Sequence, residues 1–162
     1  MNVEIMAVGT EILLGDIVNT NAQYLSKELA LLGFGIYRQT TVGDNEGRLF
    51  LALKSALEEA DIVITTGGLG PTPDDLTKEI SSQVFNQKLV LDEKSNEIIR
   101  SYFKNKDEAM VNGNQKQAMF PEGAIVLDNP NGTAPGCILI GEGNKYIINL
   151  PGPPKEMKPM FE

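Results

Sequence analysis

The stretch Ile62-Val63-Ile64-Thr65-Thr66-Gly67-Gly68-Leu69-Gly70-Pro71-Thr72-Pro73-Asp74-Asp75 decides the fold. Its first five residues form a short, continuous β-branched run, the pattern of a strand buried on both faces in a parallel sheet. Upstream, Val3 to Gly9 alternates as a strand and closes on Gly9-Thr10-Glu11. Asn19 then reads as a helix cap, followed by Ala22, Leu25, Leu29 and Leu32 on one helical face, with Gly33 as the C-terminal glycine. A strand over Gly35 to Val42 runs into Gly43-Asp44-Asn45, and a helix carrying Leu49, Leu53, Ala56, Leu57 and Ala60 leads back to Ile62. This β-α-β-α-β order predicts an α/β sandwich, and right-handed crossovers make its three strands parallel.

Downstream, the pattern predicts helices over Asp75 to Phe85, Glu93 to Phe103 and Val111 to Met119. Apolar strands follow over Ala124 to Leu127, Cys137 to Ile140 and Tyr146 to Leu150, the last two joined by a Gly141-Glu142-Gly143-Asn144 turn. The end, Pro154 to Glu162, starts an amphipathic helix with Met157, Met160 and Phe161 on one side and no stop signal after it. We therefore read residues 1–162 as a single domain cut from a longer polypeptide. The length of 162 residues suits one domain.

Composition restricts the chemistry. Fourteen Lys and Arg against 22 Asp and Glu give a net charge of −8, which disfavours nucleic-acid binding. There is no histidine, so histidine-based catalysis and His-ligated zinc are excluded, and a single cysteine, Cys137, allows neither an internal disulfide nor a thiolate cage. Cys137 reads as core. Neither a basic leader with an apolar stretch nor a membrane-spanning run is present in the sequence, so a cytoplasmic protein without membrane contact is expected.

In an open parallel sheet, ligands bind beyond the carboxyl ends of the strands. The sequence places four segments there: Gly9-Thr10-Glu11, Gly43-Asp44, Thr65 through Asp75, and Asn149-Leu150-Pro151-Gly152-Pro153-Pro154. Gly67, Gly68 and Gly70 let backbone N–H groups approach anionic oxygens, and a helix starting just after them favours a phosphate. The loop is neither a Walker loop, lacking Gly-Lys-Ser/Thr, nor a Rossmann fingerprint, having Pro73 where a third glycine belongs. A capping reading of the same residues stands beside it, with Thr72 as N-cap, Pro73 at N1 and Asp75 at N3. Taken alone, Asp44 more readily caps the following helix and Glu11 is a surface residue. Together, Glu11, Asp44 and Asp75 resemble the carboxylates that hold Mg²⁺ beside a phosphate, and such a cation offsets the repulsion between an acidic cleft and a diphosphate. Lys78 and Lys155 lie near the same edges. The Asn131-Gly132-Thr133-Ala134-Pro135-Gly136 loop reads more readily as hairpin geometry than as a ligand contact.

Three blocks carry a resemblance: Gly9-Thr10-Glu11-Ile12-Leu13-Leu14-Gly15 with Asn19-Thr20-Asn21; Thr66-Gly67-Gly68-Leu69-Gly70-Pro71-Thr72 with Asp74-Asp75; and Leu150-Pro151-Gly152-Pro153-Pro154 with Glu156-Met157. In these the chain resembles the amino-terminal domain of the competence/damage-inducible protein CinA family, and the resemblance spans essentially all 162 residues. It implies a molybdopterin-binding-like, three-layer α/β/α sandwich with a mostly parallel sheet. It further implies metal-dependent pyrophosphatase activity on ADP-ribose, with Asp75 and Asp44 as the matching acidic positions. The Leu-Gly-Pro-Thr-Pro that follows the paired glycines departs from the pterin-adenylating relatives. Deamidation of nicotinamide mononucleotide, associated with the family's carboxyl-terminal region, is not expected of these residues. A homo-oligomer is expected from the relatives' dimers and trimers.

The expected function is thus hydrolysis of a nucleotide diphosphate linkage. Asp75 and Asp44 act as catalytic carboxylates, and Glu11, Asp44 and Asp75 serve as ligands of a divalent cation such as Mg²⁺. Thr10, Thr66, Gly67, Gly68, Gly70, Thr72, Pro151 and Gly152 form the phosphate and substrate contacts. The alternatives are molybdopterin binding or adenylyl transfer, and a non-catalytic nucleotide-binding module completed by further domains of the same chain.

Overall fold

The computed structural model describes residues 1–103 and 113–162 of the chain. Strands β1 (Asn2–Val8), β2 (Gly35–Val42), β3 (Ile62–Thr66), β6 (Ile125–Leu127), β7 (Gly136–Ile140) and β8 (Tyr146–Leu150) form one sheet in the order β2-β1-β3-β8-β7-β6. The pairs β2·β1, β1·β3 and β3·β8 are parallel, while β7 pairs antiparallel with β8 and with β6. Two three-residue strands, β4 (Leu89–Leu91) and β5 (Met119–Pro121), make a separate antiparallel ribbon.

The helices are α1 (Thr10–Leu14), α2 (Thr20–Leu31), α3 (Glu46–Glu59), α4 (Thr77–Val84), α5 (Glu93–Tyr102) and α6 (Pro154–Phe161). The alternation of the central strands splits the core in two. On one face Val3 and Ile5 of β1, Ile64 of β3 and Leu150 of β8 pack with Leu25 and Leu29 of α2 and Met157 of α6. On the other face Met6 and Val8, Val63 and Ile147 pack with Leu49 and Leu53 of α3 and Ile80 of α4. Burying each such aliphatic side chain stabilises the fold by roughly 1.5–3 kcal/mol. Two cores on opposite faces of one sheet require helices on both, hence three layers. Glu4, 2% exposed within β1, is matched by the Arg38 guanidinium at 2.8 Å and the Thr40 hydroxyl at 2.7 Å.

The expected parallel sandwich, the Asn19 cap (accepting from Ala22 N–H at 3.0 Å), the left-handed Gly33 and the β7–β8 turn are all present. Cys137 is fully buried in the core. Three expectations change. Residues 10–14 form a short helix, not only a turn. Of the helix expected over 111–119, residues 111 and 112 lie outside the described residues; Gln115–Ala118 is a 3₁₀ turn and Met119 opens β5. Helix α4 begins at Thr77, not at Pro73, and its N-cap position, Leu76, has no capping side chain. Among the described residues, no helix is long and apolar enough to cross a membrane.

Candidate functional site

Register brings the strand ends level. Val8 faces Val42, Ala7 faces Thr66, and Thr66 faces Leu150. The four turns that follow these strands therefore meet on one rim, and they enclose a cleft of about 710 Å³, within the range of small-molecule sites. Glu11, Asp44 and Asp75 all line it, as do Gly67, Gly68, Gly70, Thr72, Pro151 and Gly152. Thr10 and Thr66 stand behind the wall: Thr10 holds Asp44, and Thr66 is buried with its hydroxyl unpartnered.

The carboxylates are fixed in ways the sequence did not disclose. Asn45, not Asp44, caps α3, accepting from Arg48 N–H at 3.0 Å. Asp44 Oδ2 instead accepts from the N–H and hydroxyl of Thr10, each at 2.9 Å, so it caps the first turn of α1 from across the rim. Asp75 is not the N3 residue of a helix. Its Oδ2 accepts from Thr72 N–H at 3.0 Å and from Thr72 Oγ1 at 2.5 Å, closing a turn of its own ahead of α4. Lys116 fastens that turn by donating to the carbonyls of Thr72 (2.9 Å) and Asp75. Glu11 folds back over Gly9, where a Cβ would meet its carboxylate at 2.7 Å.

The glycine loop divides its labour. Gly67 N–H donates to Leu150 O at 3.0 Å, and so is withdrawn from any ligand. Thr77, the first residue of α4, turns its N–H to Gly68 O and its hydroxyl to Gly67 O. The helix start expected to face a phosphate thus braces the loop from behind. The amides of Gly68, Leu69 and Gly70 donate to no backbone or side-chain acceptor among the described residues, and all three residues line the cleft.

Lys78 and Lys155 are absent from the cleft wall. Lys78 is 3% exposed, donates to Gln117 O at 2.6 Å and lies 4.1 Å from the Phe120 ring centre; burial lowers its pKa to about 8. No Lys or Arg lines the cleft among the described residues, whereas Asp74 and Glu156 add to its acidic set. Glu156 accepts from Asn129 at 2.8 Å and lies against the Gly132 backbone. That contact draws Thr133 and Ala134 of the neighbouring loop, expected as plain hairpin, onto the cleft. Gln117 also lines it, and nothing in the sequence pointed to that residue.

These donors suit a hard divalent cation shared with a ligand. Asp44 and Asp75 each have both hydrogen bonds on Oδ2, leaving Oδ1 uncommitted among the described residues. Glu11, Asp44 and Asp75 do not, however, close into a ready-made ligand cluster: no group of three or more acidic or thiol side chains is placed to hold an ion among the described residues. Mg²⁺ needs no such cage, because it is typically held by one or two carboxylates, waters and the phosphates of its ligand.

A mostly parallel three-layer sandwich with its cleft at this rim defines an α/β domain of the small-molecule-binding class. The family described as the probable molybdopterin binding domain matches residues 4–162. The chain is 60% identical over 162 residues to a CinA-like protein of Kosmotoga olearia, and 58% identical over 161 residues to a putative competence-damage inducible protein of Clostridium perfringens. It covers 100% and 99% of itself in these matches and 39% of each relative's length. The crystal structure of CinA from Thermoplasma acidophilum, described as of unknown function, superposes with a TM-score of 0.90 at 38% identity, covering 99% of this chain and 93% of that one. The molybdopterin biosynthesis enzyme MoaB from Thermus thermophilus shares the fold, with a TM-score of 0.65 at 21% identity over 99% of this chain and 87% of that one. The chain belongs to the probable molybdopterin binding domain family and, within it, to the CinA proteins.

Proposed function

We propose that the cleft binds a phosphate-bearing, nucleotide-like small molecule together with a divalent cation such as Mg²⁺. One observation carries this: among the described residues, three unengaged amides, at Gly68, Leu69 and Gly70, share a cleft with acidic side chains and no Lys or Arg. Bare amides suit phosphate oxygens, while the carboxylates repel them unless a metal intervenes. The family description and the fold shared with MoaB favour molybdopterin, a phosphorylated pterin, as the ligand class.

The uncommitted carboxylate oxygens favour a second, catalytic reading: hydrolysis of ADP-ribose to AMP and ribose 5-phosphate. In this reading Asp75 and Asp44, with Glu11 beside them, would hold the cation, which would offset phosphate charge when bound. The amides of Gly68 to Gly70 hold one phosphate, and Pro151-Gly152 shapes the opposite wall. Water attacks one phosphorus, the P–O bond of the bridge breaks, and the bridging oxygen leaves with the other phosphate. In a chain without histidine, a cleft carboxylate is one group able to accept the water proton, and a bound divalent ion would supply the other route by acidifying the water.

The experiment combines calorimetry with molybdopterin and with ADP-ribose, each with Mg²⁺, and an assay for AMP. Binding with AMP release that is lost in Asp75→Asn supports hydrolysis. Binding without product supports the pterin-binding or non-catalytic reading. Failure of both ligands to bind overturns the proposal.

A further inference from the structure

The sequence holds two Asn-Gly pairs: Asn112-Gly113, whose asparagine lies outside the described residues, and Asn131-Gly132. In such a pair the glycine has no side chain to keep its backbone nitrogen away from the asparagine carboxamide. Asn131 is exposed, in the turn between β6 and β7. The Gly132 N–H donates to no backbone or side-chain acceptor among the described residues, so no hydrogen bond withholds its nitrogen. The carboxamide is held by Nδ2 donating to Lys155 O at 3.0 Å. A single exposed hydrogen bond slows its release by about tenfold at most.

The same turn is built into the cleft wall. Asn129 Nδ2 donates to Ala134 O at 3.0 Å and to Glu156 Oε2 at 2.8 Å, while Asn129 Oδ1 accepts from Asn131 N–H at 3.1 Å. A Cβ on Gly132 would run into the Glu156 carboxylate, so the main chain has no slack on that side. Thr133, Ala134 and Glu156 all line the cleft.

We propose that Asn131 is a site of spontaneous deamidation, and that its isoaspartyl product displaces Thr133, Ala134 and Glu156 on the cleft wall. Gly132 N attacks Asn131 Cγ and closes a cyclic succinimide. The Cγ–Nδ2 bond breaks, and the nitrogen leaves as ammonia, the proton lost from Gly132 N–H balancing the one it gains. Water then opens the ring, with no oxidation or reduction. Opening at Cγ leaves aspartate, whereas opening at the backbone carbonyl leaves isoaspartate, whose main chain runs through Cγ and is one methylene longer. Either carboxylate lacks the donor that Lys155 O now receives. The isoaspartyl chain also pushes Gly132 against Glu156, where nothing gives.

The test holds the folded protein in mildly alkaline buffer for days, beside a urea-unfolded sample, and maps the peptides by mass. Methylation by protein isoaspartyl methyltransferase marks isoaspartate. Asn131 should convert in the folded protein at a rate within about tenfold of the unfolded one, and Asn131→Gln should stay intact at this position. Conversion confined to the unfolded sample would overturn the site. Ion exchange separates the more acidic aged form, whose Thr133 and Ala134 amides should shift in NMR spectra recorded without ligand. Spectra in which those amides coincide with the fresh protein's would overturn the effect on the wall. In calorimetry with ADP-ribose and Mg²⁺, the isoaspartyl form should bind about tenfold more weakly than fresh protein, and equal affinities would contradict a displaced wall. Absence of binding by the fresh protein strikes the proposed function alone, because mass and NMR decide this inference without a ligand.

Discussion

Gly68 shows why the loop's glycines are not interchangeable with alanine. Its φ is 67°, and a Cβ there would meet Thr77 Oγ1 at 2.2 Å, inside the hydroxyl's contact with Gly67 O. Gly68→Ala should cost about 2 kcal/mol in urea unfolding, from the left-handed backbone and the clash together. Lys78 makes a second prediction at this scale. Burial lowers its pKa from 10.5 to about 8, so between those values the unfolded chain binds the more protons, and stability rises with pH. Cys137 acts oppositely: burial raises its thiol from 9.0 to about 11, so the folded state keeps its proton longer and stability falls with pH over that range. The urea midpoint should therefore climb between pH 8 and 9 and then level off. Lys78→Met should abolish the climb, and a climb that persists in it would assign the effect elsewhere.

Between elements, Asp44 joins the end of β2 to the start of α1. It provides the acceptor for the Thr10 N–H that a five-residue helix cannot satisfy by itself. Asp44→Ala should lower stability by about 1 kcal/mol, whereas Asp44→Asn keeps an acceptor oxygen and should fold with an unchanged melting temperature. Any loss of ligand affinity in Asp44→Asn then reports on the charge. What was legible in the sequence divides along the same line. Strands β1, β3 and β8 are largely buried on both sides, so their apolar runs declare themselves, and Asn19 and Gly33 mark α2 by local capping chemistry. The helix α1 is too short for any periodicity. Gln115 to Met119 are good helix formers, but the pairing of Met119–Pro121 with Leu89–Leu91 overrides that local preference. Asp75 was placed at the right rim with the wrong partner, because the Lys116 clamp that shapes its turn is a contact across 41 residues. Gln117 was invisible for the same reason.

Over the whole molecule, the parallel register decides the site. Four turns distant in sequence share a rim only because β2, β1, β3 and β8 run the same way and end level. The net charge of −8 and the lack of Lys or Arg on the cleft wall among the described residues are what the proposed divalent cation would offset there. The most direct measurement is an amide-resolved NMR titration of the protein with ADP-ribose, with Mg²⁺ and again with chelator. The account predicts that Gly68, Leu69 and Gly70 shift most strongly with Mg²⁺ present and that chelation reverses the shifts. Shifts that leave these amides untouched and gather instead around a separate hollow lined by Ser95, Tyr102 and Pro130 would contradict it.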